Sequence, residues 1–482
     1  MAEQISVKDV QFYMRNVRTR MPFKYGVAAL TSVPILHVIM EAELADGTLA
    51  TGVAADILPP KWFDKDPAKE YEDNVDDLLF VAQAAAQAYK QASAHPKTVF
   101  EIWWEGYAAT LAAGDGRQLN HLTAGHGSTL MERALIDAVG TGRGLSYYAL
   151  LKSNELALDF GRIHGELRGL AAADVIAEQP VTQFYIRHTV GLADPIWTAD
   201  LAADERLYDG LPQSLQEYID VQDIVYFKIK VNGDIENDLE RLRAIAALVD
   251  RHERQYYISL DGNEQYKDMD SFLELLARIE EDKRLQRFYA SVLYIEQPLE
   301  RSIALNSELA AGIRSVSAQK PMLVDESDGD LDVFKRAVEL GYLGVSSKNC
   351  KGMIKALANL ALVQKLNNGE TRYFLSGEDL MNLPVVPLQQ DLAHLAVLGV
   401  THAERNGHHY VRGLDHLSEK ERQACRELHG PLYRQTDDAT VLDIRQGRID
   451  ISSLQVPGLG VGMPVDVEAM VPLAAWSFAS LA

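Results

Sequence analysis

Cysteine is nearly absent: Cys350 and Cys425 are the two in 482 residues. Two thiols build no disulfide framework, and such scarcity suits a reducing compartment. Positive charge is also short, with 47 Lys and Arg against 69 Asp and Glu and a net charge of −22. No basic patch offsets that excess, which excludes a general nucleic-acid binder and a binder of anionic membranes. No apolar run approaches the roughly 18 residues that cross a bilayer. The N-terminus, Met1-Ala2-Glu3-Gln4, lacks a basic segment followed by an apolar one, so no secretory signal is expected. A cytoplasmic protein is the resulting expectation. Cys and His do not cluster at zinc spacing. An anionic small molecule stays compatible with the acidic balance, because a metal ion and local lysines reverse the sign inside one pocket.

What is present is an ordinary globular composition, 47% hydrophobic and 24% charged, with length enough for two domains. Residues 5–56 alternate as antiparallel strands do, with a turn at Asp46-Gly47. Between them lies a loop carrying cations and aromatics, including Phe23, Lys24 and Tyr25. Residues 65–170 read as helices. From about 180, strand and helix alternate. Candidate strands lie at 183–189, 224–231, 256–262, 292–297, 322–326, 342–349, 373–378 and 400–404. Amphipathic segments separate them, the best at 234–249 with Ile235, Leu239, Leu242, Ile245 and Val249 on one face. Repeated strand–helix units imply a parallel sheet, and their number over this length favours an α/β fold of the (β/α)8 TIM-barrel type, usually about 250 residues. Residues 444–451 read as a hairpin and 457–462 as a turn-rich tail.

Barrel chemistry sits at the C-terminal ends of the strands. Those ends carry Lys228 and Lys230, then Asp261, Glu296, Asp325 and Lys348. Side chains at i and i+2 on a strand share a face, so Lys228 and Lys230 project together. Buried carboxylates converging on one axis repel unless a cation lies among them. Oxygen donors with room for water suit Mg²⁺, and Mn²⁺ also fits. A metal flanked by lysines points to removal of the proton α to a carboxylate, through an enolate that the metal stabilises. The base must be neutral, and a neighbouring ammonium lowers a lysine pKa. Lys348 approaches from the opposite side, so a proton can leave one face and return to the other. A network of structural salt bridges is the bland alternative for any single one of these groups.

The series K-x-K at 228–230, D-x-N at 261–263, I-E-Q-P-L at 295–299, D-E-S at 325–327 and a strand-end lysine at 348 resembles the enolase superfamily. Within it, the muconate-cycloisomerase-like (mandelate racemase/muconate lactonizing enzyme) family is the nearest likeness. Residues 132–150 look like the helix leading into that barrel, and 447–461 like its C-terminal return. The resemblance implies an enolase-like, modified barrel at 179–415, an N-terminal α+β capping domain at 1–178, and a segment at 416–482 returning to the cap. It further implies Asp261, Glu296 and Asp325 as metal ligands, with Asn263, Gln297 and Glu326 standing behind them. Lys230 would be a base, Lys228 its carboxylate-binding and pKa-lowering neighbour, and Lys348 the acid/base on the other face. Phe23, Lys24 and Tyr25 would shape specificity from the cap, with His188, Glu378 and Glu404 as further substrate contacts. Members commonly assemble, so association of identical copies is expected. Extra sequence at 59–97 and 406–440 and the polar stretch Glu404-Arg405-Asn406-Gly407-His408-His409-Tyr410 depart from the family's pattern.

The leading expectation is a Mg²⁺-dependent racemase or epimerase acting on a small carboxylate. A lyase or cycloisomerase uses the same residues, and a non-catalytic metal-binding barrel stays open. A metal-dependent sugar isomerase or aldolase would call for histidine ligands at strand ends, where this chain has carboxylates and lysines.

Overall fold

The structure is a computed structural model and describes residues 4–25, 28–252 and 254–481. Three long strands, β1 (Ser6–Tyr25), β2 (Ala28–Glu43) and β3 (Leu49–Ile57), pair antiparallel in sequence order. The turn between β2 and β3 has Gly47 at φ +84°, a conformation that costs a Cβ-bearing residue. Helices α1 (Tyr71–Ala92), α2 (Val99–Gly116) and α3 (His121–Arg143) follow. Leu122 to Gly140 of α3 are buried all round, because the helix lies between the sheet and its two neighbours. Gly52 permits that contact: a Cβ there would meet the Ala134 carbonyl oxygen at 2.0 Å. Most of the segment 59–97 is α1.

Eight strands then alternate with helices: β4 (Gln183–Val190), β5 (Tyr226–Lys230), β6 (Tyr257–Asp261), β7 (Val292–Glu296), β8 (Met322–Val324), β9 (Gly344–Ser347), β10 (Phe374–Gly377) and β11 (His402–Arg405). Every neighbouring pair is parallel, and β11 pairs back onto β4 with Ala403 opposite Ile186, closing the barrel. Six of the eight strands fall inside their expected windows, and β4 and β11 each run one residue past theirs, to Val190 and Arg405. The helix Ile235–Val249 begins where Asp234 accepts a hydrogen bond from the Asn237 amide, and it buries Leu239, Leu242, Ile245 and Val249 as the 3.6-residue spacing requires.

The segment 444–451 differs from the expected hairpin. Gln446 and Gly447 do turn with positive φ, and Arg445 and Arg448 form an isolated bridge. After β12 (Tyr433–Gln435) and β13 (Thr440–Leu442), however, β14 (Arg448–Asp450) pairs antiparallel with β4. The reason is local: β11 pairs with β4 only from Tyr185 onward, so the amides and carbonyls before it need other partners, and β14 provides them. The chain then reaches the cap sheet, where β15 (Val471–Pro472) pairs with β1 at Tyr13 and Met14.

Two acids of α3 tie these parts together. Asp137 accepts from the Val53 amide of β3 at 2.9 Å and from the Leu459 amide of the tail at 2.7 Å. Glu132 accepts at 2.5 Å from the amide of Ile354, in the first turn of the barrel helix Met353–Leu366. Burial pushes both carboxyls up, Glu132 to about 7 and Asp137 to about 6. Among the described residues no helix is long and apolar enough to cross a membrane. Replacing Asp137 with Ala strands the buried Leu459 amide and the partly buried Val53 amide and should lower stability by about 2–4 kcal/mol in urea unfolding, from the usual cost of unpaired donors.

Candidate active site

Strand period and register bring the charged residues to one level. Lys228 and Lys230 stand two apart on β5, while their neighbours Phe227 and Ile229 turn into the apolar layer and are buried. Lys230 pairs with Asp261 across β5 and β6, and Asp261 pairs with Glu296 across β6 and β7. Asp325 follows β8 directly and Lys348 follows β9. Parallel pairing without slippage at these ends points every polar tip into the barrel mouth.

Lys228 Nζ is the hub. It lies 3.0 Å from Asp261 Oδ2, 2.7 Å from Glu296 Oε2, 2.9 Å from Glu378 Oε2 and 2.9 Å from Glu404 Oε2. Burial alone would lower its pKa, but those carboxylates hold it well above the ordinary lysine value. It is a fixed ammonium. The carboxylates are held from behind as well. Glu378 takes hydrogen bonds from Arg187, from Ser376 Oγ at 2.6 Å and from the Tyr294 hydroxyl at 3.1 Å. Thr189 Oγ1 donates to Glu404 Oε1 at 2.6 Å. Burial would raise the Glu404 carboxyl, yet Lys228, Lys230 and Lys348 keep it well below the carboxylate range. Glu296 moves the other way: burial, then Asp261 and Glu378, push it well up against Lys228.

The opposite wall repeats the pattern. Lys348 Nζ sits 2.6 Å from Asp325 Oδ2, and Lys351 lies 3.4 Å from Asp325 Oδ1 and 3.0 Å from Asp328 Oδ2. Burial opposes protonation of Lys348, but Asp325 outweighs it and raises its pKa. Lys230 Nζ lies 2.5 Å from Asp261 Oδ2. Gln297 orients this region through its Oε1, which accepts from the amides of Asp325 and Ser327 at 2.8 and 3.0 Å. Asn263 donates to Glu326 Oε1 at 3.3 Å. Burial, then Asp325 and Glu264, push the Glu326 carboxyl up to about 7.

Above these groups a pocket opens between cap and barrel. Lys228, Lys230, Lys348, Asn263 and Glu404 line it from below; Phe23 and Tyr25 line it from the cap. Three expected contacts lie elsewhere. Lys24 is exposed, because strand alternation turns it away from its neighbours Phe23 and Tyr25. His188 is buried against the Tyr218 ring at 4.4 Å, with Nδ1 3.2 Å from His408 Nε2, and does not line the pocket. Glu378 is fully buried on Arg187 and Lys228, away from the pocket surface. Lys228, expected to depress its neighbour's pKa, instead has its own charge absorbed by four carboxylates. Sequence reading missed Arg187, a charged residue in mid-strand whose alternation with Ile186 and His188 is its one clue. It also missed Trp62, which a loop delivers with no periodic pattern to announce it.

No family model and no curated protein sequence matches the chain. Solved structures do match along its whole length. A dipeptide epimerase from Cytophaga hutchinsonii, complexed with Mg and the dipeptide D-Ala-L-Val, superposes with TM-score 0.60 at 16% identity, covering 97% of this chain and 98% of that one. An N-succinyl Arg/Lys racemase from Bacillus cereus gives 0.59 at 16% identity, covering 97% and 96%. A muconate lactonizing enzyme from Pseudomonas fluorescens, complexed with muconolactone, gives 0.56 at 16%, covering 96% and 98%. This chain shares the fold of these structures, a closed eight-strand barrel beneath an antiparallel cap.

In this enolase-like barrel, Asp261, Glu296 and Asp325 offer hard oxygen donors from three adjacent strands, a set that suits Mg²⁺. Buried acceptors without a hydrogen bond of good geometry remain at Glu296 Oε2, Asn263 Oδ1 and Glu326 Oε2. The donors therefore fit a divalent cation in kind. As they stand, each carboxylate is turned onto a lysine, and among the described residues no three acidic, His or Cys groups are gathered closely enough to hold a metal. Millimolar MgCl₂ or MnCl₂ should raise the thermal midpoint of the protein, since a ligand that binds the folded state stabilises it in proportion to the logarithm of its concentration. Glu296→Gln should flatten that dependence; an unchanged slope would show that the cation binds elsewhere.

Proposed function

We propose that the chain removes the proton α to the carboxylate of a small organic acid, as a racemase or epimerase of the enolase superfamily. One observation carries this reading: Lys230 and Lys348 enter a single pocket from β5 and just beyond β9, which stand four strands apart in a closed eight-strand barrel. They face each other across the place a substrate carbon would occupy. Mg²⁺ held by Asp261, Glu296 and Asp325 would supply the positive charge that makes such a proton removable.

The chain's own residues do the rest. Lys228 is spent on four carboxylates and acts as a fixed charge that orients Glu296 and Glu404. Lys230, whose one ion-pair partner among the described residues is Asp261, is the base. Lys348 receives or delivers the proton on the other face. Phe23, Tyr25 and Trp62 cover the pocket from the cap and limit water at the reacting carbon. A second reading, syn elimination or cycloisomerisation, is favoured by the strong protonation of Lys348 beside Asp325, which suits a lysine that stays charged while Lys230 alone abstracts. Similarity to structures described as epimerase, racemase and muconate lactonizing enzyme supports the general chemistry.

Deuterium incorporation at the α-carbon decides between these. In D₂O with Mg²⁺, wild type should exchange the α-proton of its substrate, and Lys230→Ala should slow exchange by about 10²–10⁴-fold, the usual contribution of a positioned base. Label in both stereoisomers, with loss in Lys348→Ala, marks a racemase or epimerase. A product of altered mass or connectivity marks the second reading, and exchange indifferent to Lys230 sinks both.

A further inference from the structure

The pocket is sharply divided, and the division points to a class of substrate. Its cap side is made by Phe23, Tyr25, Leu30, Ile57, Pro59 and Trp62, with no ionised side chain among them. The Tyr25 hydroxyl adds no polar group, since it donates to the Pro60 carbonyl at 2.8 Å. Leu380 and Met381 extend the apolar surface on the barrel side. Every ionised group that lines the pocket already has an opposite partner. Lys228 and Glu404 hold each other at 2.9 Å, Lys230 holds Asp261, and Lys348 holds Asp325. Asp379 accepts from Arg405 at 3.2 Å and from the amides of Asn382 and Asn406 at 2.9 and 3.0 Å. The cap wall, where a substrate's remote end would lie, offers no ionised side chain, so a second charge there would be buried unpaired, which is costly. Asn406 Oδ1, buried and without a hydrogen-bond partner among the described residues, offers one neutral acceptor.

The wall is also held in place. Arg301 donates through Nη2 to the Trp62 carbonyl at 2.8 Å and through Nη1 to the Phe63 carbonyl at 2.8 Å. Glu264 grips that guanidinium at 2.7 Å through each of its oxygens, and Lys65 joins at 2.6 Å from Glu264 Oε2. This latch between cap loop and barrel sets the Trp62 ring 4.5 Å from Lys348 Nζ. Phe23 stacks on Tyr410 at 4.2 Å, and the Tyr410 hydroxyl donates to Asp194 Oδ2 at 2.7 Å. The polar stretch after the last barrel strand thus serves as backing for the cap wall.

We propose that the substrate is a monocarboxylate whose remote end is an uncharged aliphatic or aromatic group, seated on the Trp62 and Phe23 wall. An uncharged hydrogen-bond donor near the carboxylate, such as a hydroxyl or an amide N–H, is accommodated by Asn406; a second ionised group is not. This rests on the α-proton reading for the chemistry and on the wall alone for the tail.

The test is calorimetric binding, with Mg²⁺, of 3-phenylpropionate against its para-aminomethyl and para-carboxyl counterparts. The phenyl acid should bind at least about tenfold more tightly than either charged-tail acid, a difference of the size expected for a buried apolar ring against an unpaired charge. Trp62→Ala should weaken the phenyl acid about tenfold and shift the charged acids much less; Phe23→Leu, a milder change, should weaken it in the same direction. Thermal melts of both variants establish that they fold. Equal or tighter binding of a charged-tail acid, no effect of either substitution, or no binding of any of the three acids overturns the proposal. Running α-deuterium exchange on the same acids separates the two readings. A tail preference without exchange sinks proton abstraction and leaves the tail class standing, and exchange without a tail preference does the reverse.

Discussion

Lys228 carries one positive charge into a volume crowded by Asp261, Glu296, Glu378 and Glu404, and the rest of the barrel mouth is arranged around that imbalance. Removing an ammonium or a carboxylate from water costs several kcal/mol, recovered only where opposite charges and further hydrogen bonds surround it. Arg187, Tyr294 and Ser376 provide those hydrogen bonds to Glu378, and Thr189 does so for Glu404. The groups beneath the pocket are thereby held in place, and the lysines with simpler pairings, Lys230 and Lys348, reach into the pocket beside Lys228. Glu296, whose carboxyl is driven upward by burial and then by Asp261 and Glu378, stands where four carboxylates meet the single Lys228 ammonium, so negative charge is in surplus there. That surplus is the physical case for a cation.

Chemistry and recognition are separated by origin in the chain. The floor comes from strand ends of a closed barrel, where register fixes each side chain relative to its neighbours. The roof comes from β1, β2, β3 and the loop after them, elements of another sheet, and it is apolar. Holding two layers from different sheets in contact requires specific ties. Asp137 and Glu132 of α3 provide them on the far side of the cap, and Glu264 with Arg301 provides them over the pocket. A roof that can change without disturbing the floor is how one barrel serves many substrates.

Much of this was legible from residue order. Parallel strands buried on both faces read as short apolar runs, and all eight appear where such runs lie. The K-x-K pair projects one way because the strand period is two. The misplaced contacts were misjudged for a common reason: residue type suggested polarity toward a ligand, while three-dimensional neighbours had other uses for it. Lys24 is one residue out of phase with the aromatics that face the pocket. His188 is enclosed by Tyr218, His408 and His409. Glu378 sits where Arg187 and Lys228 need a counter-charge. The segment 444–451 turned as expected, but the open end of β4 claimed its outgoing strand.

The amino-acid sequence alone determined the strand–helix alternation, the closed barrel, and the ordered set of lysines and carboxylates at the strand ends. These follow from periodicity and from polar residues that interrupt apolar runs, both local properties of the chain. The tertiary structure alone decided which carboxylate each lysine holds, that Trp62 covers Lys348, and that the cap wall carries no charge. Those outcomes depend on groups tens or hundreds of residues apart being packed within a few ångströms. Over such distances the free energy of an ion pair depends on burial and geometry, which no local pattern in the sequence encodes.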